Sequence, residues 1–75
     1  MRDRRPRYTV EDFARLGDIL YEQNVLPALR PEDDGKLVLI DINSGDFEVD
    51  RDEIAASDRL LARRPGAQVW MRRAG

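Results

Sequence analysis

The chain has no cysteine and no histidine among its 75 residues. Without cysteine there is no disulfide framework, no thiolate metal ligand and no thiol nucleophile, so a stapled secreted mini-protein is excluded and a reducing cytoplasm is the expected compartment. Without histidine the usual neutral-pH general base is missing, which removes histidine-based triads, zinc fingers and the common zinc sites. No apolar run approaches the roughly 20 residues that span a bilayer. The opening MRDRRPR has no apolar core of the kind a secretory signal carries. A soluble protein with no membrane contact, no cofactor and no bound metal is the expectation.

Aromatics are also sparse, at 7%, against 41% apolar and 37% charged residues. That balance supports one small globular domain with a modest core and a heavily charged surface. So short a chain leaves little room for a substrate cleft, and no small-molecule substrate is expected. Net charge is −2, but its sign is segregated. Residues 1–10 sum to +3, residues 11–53 to −9 and residues 54–75 to +4. An acidic middle between basic ends favours self-association or an oppositely patterned partner over simple binding to nucleic acid.

Residues 1–7 lack apolar periodicity and contain Pro6, so they read as a flexible basic arm ahead of a single α+β domain over residues 8–75. Thr9 is an N-cap, Asp12 completes a capping box, and Tyr8 with Phe13 has the spacing of a hydrophobic staple. The helix they open is expected to reach Asn24 or Leu26. It places Phe13, Leu16, Gly17 and Leu20 on one face, flanked by Val10, Ala14, Ile19 and Tyr21. Pro27 and Pro31 end it, with Leu26 and Leu29 tucked under the domain edge.

Lys36 to Ile42 carries the apolar run Leu37-Val38-Leu39-Ile40, which has no alternation and so predicts a central strand covered on both faces. Asn43-Ser44-Gly45-Asp46 is a turn signal, and Phe47 and Val49 alternate with a solvated Glu48. Asp50 reads as the cap of a second helix, with Glu53 three residues on and a Val49–Ile54 staple. That helix, about Arg51 to Arg64, is expected to bury Ile54, Ser57 and Leu61 with Leu60 at the margin, and Pro65-Gly66 stops it. Ala67 to Arg73 is the last strand, with Val69 and Met71 on one face and Gln68, Trp70 and Arg72 on the other.

The order α-β-β-α-β predicts a three-stranded antiparallel sheet of order 2-1-3 with two helices. With both helices on one face, Trp70 and half of the central strand would be bare, and such a face marks an interaction surface. Either the first helix covers it or a second protomer does. The expected partner interface is therefore Trp70, Gln68, Arg72, Val38 and Ile40, with Asp58 either paired to Arg59, Arg63 or Arg72 or anchoring a partner's arginine.

Three chemistries compete for the polar residues. Asp41, Asn43, Gly45 and Asp52 fall at EF-hand-like spacing, but Asp46 stands where glycine is required and the twelfth position lacks glutamate, so a turn beside a capped helix accounts for them. Asp41, Asp46, Glu48, Asp50, Asp52 and Glu53 are dense in carboxylate, yet capping and a solvated face explain them better than acid–base catalysis. Arg2, Arg4, Arg5 and Arg7, with Arg63, Arg64, Arg72 and Arg73, give a nucleic-acid reading in which the arm enters a groove.

From Gly35 to Arg73 the chain resembles a group of short, uncharacterised bacterial proteins. Their pattern is Gly-Lys, an apolar strand ending in Asp-Ile, a glycine turn, a capped helix with Ser-Asp-Arg-Leu-Leu-Ala-Arg-Arg-Pro, and a closing Gln-Val-Trp strand. The resemblance brings no activity or catalytic residue. In size and style such proteins are similar to the antitoxin or accessory member of a small bacterial gene pair. The expected function is thus a non-enzymatic protein-binding module, acting as a homodimer or with a second bacterial protein. The alternative is a DNA- or RNA-binding regulator using the arginine arm.

Overall fold

A computed structural model describes residues 8–75. Helix α1 (Val10–Leu20) starts where its sequence says it should: Thr9 Oγ1 accepts from the Asp12 N–H at 3.0 Å, and an Asp12 carboxylate oxygen accepts from the Thr9 N–H at 3.3 Å. The Tyr8 and Phe13 rings meet edge to face at 5.8 Å, so the staple forms too.

The helix does not continue in α form to Asn24 or Leu26. It widens into a π turn at Tyr21–Val25 and tightens into a 3-10 turn at Leu26–Ala28; after the extended Leu29 and Arg30 a separate 3-10 turn follows at Pro31–Asp33. Tyr21 and Val25, four residues apart at the two ends of the π turn, are both buried in the core. Leu29 packs against that core, whereas Leu26 stays half exposed.

Strands β1 (Leu37–Asp41), β2 (Phe47–Asp50) and β3 (Val69–Arg73) form an antiparallel sheet of order β2-β1-β3, as the sequence predicts. The apolar run of β1 is divided by its alternation. Val38 and Ile40 lie under the α1 side with Tyr21, Val25 and Trp70, while Leu37 and Leu39 meet Ala56, Leu60 and Val69 on the other side. The molecule is therefore three layers, α1 with its π turn over one sheet face and α2 (Glu53–Arg63) over the other. The first helix, rather than a second protomer, covers the inner strand. Val38 and Ile40 are wholly buried and offer no surface to a partner, which corrects their assignment to an interface.

Helix α2 begins two residues later than its sequence suggests. Asp52 is the N-cap, its Oδ1 accepting from the Ile54 and Ala55 N–H groups, and Asp50 instead closes β2. The buried stripe is Ala56 and Leu60, not Ile54 and Leu61; Ile54 is 72% exposed, too far out to act as a staple. The cause lies on β2. Arg59 and Arg63, one turn apart, reach down to its acidic side chains, and that pairing rotates the helix until its small residue and Leu60 sit on β1.

Candidate functional site

Among the described residues, Tyr8, Val10, Phe13, Ala14 and Trp70 line an open apolar groove of about 400 Å³. The capping box and the ring pair hold Tyr8 and Phe13 at the start of α1, and β3 supplies Trp70 from beneath. Gly17 seats the indole: a Cβ at that position would overlap the ring atoms Cδ2 and Cε3. A glycine in mid-helix costs helix propensity, and here it allows α1 to lie directly on the tryptophan. Val10, at 87% exposure, stands at the groove rim with nothing over it among the described residues.

The sequence-predicted interface residues scatter. Trp70 is half buried in the groove wall. Arg72, its neighbour along the same face of β3, lies 3.9 Å over the Tyr21 ring and 3.6 Å from Asp18, so it braces α1. Gln68 has a structural part, its N–H donating to Asp41 Oδ1 at 3.0 Å and its Nε2 to Asn43 at 3.1 Å. Asp58 is exposed on α2, and the arginines offered as its partners turn instead to β2 and to Asp18. Tyr8, Val10, Phe13 and Ala14 were legible only as parts of a helix start. Their spacing signalled a staple, and nothing in it marked a groove.

Acidic and basic groups are gathered between β2 and α2. Arg59 donates to Glu48 and Asp50 at 2.8 Å each; Arg63 donates to Glu48 at 2.6 Å and Asp46 at 3.0 Å; Arg64 reaches Asp46 at 3.3 Å. Glu48 therefore lies against two guanidiniums rather than on a solvated face. The hydrogen bond from Arg63 holds the Asp46 carboxyl below its ordinary value. For Glu48 burial pulls upward, and the bonds from Arg59 and Arg63 outweigh it, so the group also moves down. Asp50 is lowered by the Asp52 N–H and then by Arg59. All three shift the same way, the signature of carboxylates held ionised in pairs. What the cluster does chemically is fasten α2 to the sheet edge.

Asp41, the first position of the calcium-like spacing, is buried, and its carboxylate accepts from the Asn43 N–H, the Ser44 hydroxyl and the Gln68 N–H. Asp52 spends its oxygen on the α2 cap. Among the described residues no group of three or more acidic side chains is placed to hold a metal ion. Arg2, Arg4, Arg5 and Arg7 lie outside the described residues. No described helix is long and apolar enough to cross a membrane. No protein-family model matches the chain, nor does any curated protein or solved structure.

Proposed function

We propose that this protein is a non-enzymatic protein-interaction module, an antitoxin-like or accessory partner that works as a homodimer or in a small heterocomplex. The observation that carries the reading is the groove of Tyr8, Val10, Phe13, Ala14 and Trp70. Its composition suits a binding surface: rigid aromatics with an apolar body and one polar edge are the side chains that anchor interfaces. The remaining charged groups support this reading by their commitments, since the acids of β2 and the arginines of α2 satisfy one another. The antitoxin-like or accessory character rests on the resemblance of Gly35 to Arg73 to short bacterial proteins.

Light scattering of the purified chain tests the reading, alone and with any protein recovered in a native pull-down. Val10→Asp places a charge in the groove at a position that the fold barely touches. It is expected to weaken association by about tenfold or more while leaving the circular dichroism unchanged. A chain that stays a monodisperse monomer and recovers no partner would overturn the proposal, as would association indifferent to Val10→Asp.

A further inference from the structure

The two outer edges of the sheet are not equivalent. Along β1 and β3 the Ile42 N–H donates to the Gln68 carbonyl at 3.0 Å and the Ala74 N–H to the Lys36 carbonyl at 2.8 Å. With Leu39 opposite Met71, those bonds turn the backbone groups of residues 68, 70, 72 and 74 inward to β1. The N–H and C=O groups of Val69, Met71 and Arg73 therefore point outward. On the opposite edge the Asp41 N–H donates to the Asp46 carbonyl, which turns the groups of Phe47 outward; there Asp46 Oδ1 accepts the Phe47 N–H at 2.8 Å and Arg63 donates to its carbonyl at 3.3 Å. Side chains cover the Phe47 end of the β2 edge, where the groups of Val49 also point outward. Among the described residues only Arg72, through its bond to the Arg73 carbonyl, reaches the outward groups of β3.

An open strand edge is a template for another strand, and the side chains of β3 say which strand fits. In an antiparallel pairing of β3 with itself centred on Met71, Met71 faces Met71 and Val69 faces Arg73. On the other face Trp70 stands opposite the partner's Arg72, whose guanidinium within its own chain lies over Tyr21 and 3.6 Å from Asp18 and would turn from them to reach the indole. A centre at Arg73 would instead set two like charges opposite each other, and a centre at Val69 would leave Arg73 outside the pairing. Met71 is 44% exposed on the α2 side of the sheet, next to a Val69 that packs against the Leu39, Ala56 and Leu60 cluster, so the apolar contact at the centre is available.

We propose that the partner is a second copy of this chain, joined through β3 to β3 about Met71 into a continuous six-stranded sheet. This rests on the interaction-module reading and gives it a partner, a strand and a register. Trp70 connects the two surfaces, since it lines the groove and faces the partner's Arg72 in the pairing.

The chain's lack of cysteine makes the test clean, because Met71→Cys introduces the only thiol. Residues that exchange both backbone bonds across an antiparallel pair lie about 5.5 Å apart at Cα, within disulfide range. Under mild oxidation the full-length Met71→Cys protein is expected to form a covalent dimer about tenfold faster than Ile54→Cys, a control whose thiol is more exposed. Met71→Pro removes an N–H that the monomer's sheet does not use, and is expected to weaken the dimer about tenfold with circular dichroism preserved. Equal cross-linking rates for the two cysteine variants would overturn the pairing. If association measured by light scattering is still sensitive to Val10→Asp in that case, the interaction-module reading survives and only the β3 pairing falls. A wild-type chain that is monomeric and recovers no partner would remove both.

Discussion

Gly17 lies flat against the indole of Trp70, with no space between helix backbone and ring for even one methyl group. Gly17→Ala therefore sets two effects against each other. Alanine in mid-helix is favoured over glycine by about 0.8–1 kcal/mol. Overlap with a packed aromatic costs about 1–3 kcal/mol, because the ring or the helix must move. Since the overlap involves the ring fusion rather than a flexible tip, the second effect is expected to win, with a net loss of stability in urea unfolding. The chain has one tryptophan, so its emission reports this site alone and is expected to shift as α1 lifts.

The burial pattern of α2 separates two residues that look alike in sequence. Leu60 is fully buried against Leu39 and Ala56, whereas Ile54 stands in solvent. Leu60→Ala is expected to cost about 2–5 kcal/mol. Ile54→Ala is expected to change stability by no more than about 0.5 kcal/mol. Denaturant midpoints of the two variants measure the difference, and equal losses would contradict the observed rotation of the helix.

Acid should loosen the sheet edge. Asp33, Asp46, Glu48 and Asp50 are all held below their ordinary values, by Lys36 for Asp33 and mainly by arginine and backbone donors for the rest. A carboxylate depressed in the folded state contributes stability that is complete above its unfolded value and is lost as pH falls through its folded one. Stability is thus expected to be flat near neutrality, where the chain has no histidine to titrate, and to decline below about pH 4.5. Because Arg59 and Arg63 are nearly half exposed, salt screens part of the effect. Thermal melts from pH 7 to pH 2 check it. Arg63→Met, which removes the donor shared by Asp46 and Glu48, should flatten the acid limb.

Several features of the fold follow from short stretches read alone. Thr9 and Asp12 make a reciprocal cap whatever surrounds them, because both partners lie within one turn. Gly45 takes a φ of 80°, and Asp41 with Ser44 closes the turn around it through bonds spanning three residues. The unbroken run from Leu37 to Ile40 requires cover on both faces, and with the element order it leaves β1 in the middle. Local hydrogen bonds and apolar burial are written into adjacent residues, so these parts were legible.

Tertiary structure decided what depends on a partner distant in sequence. The sequence pointed to Asp50 as the cap of α2, and the structure uses Asp52. Arg59 takes Asp50, nine residues away, and leaves the cap to Asp52. The face that α2 buries was set by acids on β2, a strand with no periodicity in common with the helix. The widening of the helix at Tyr21–Val25 has no counterpart in the local spacing, which continues the α pattern. The groove joins the first turns of α1 to Trp70, more than fifty residues later, and no spacing rule connects them. The sequence by itself thus determined the cap of α1, the turn and a central strand needing cover twice. Packing decided which helix covered which face, and so which apolar residues remained on the outside, because burial is allotted only when the layers meet.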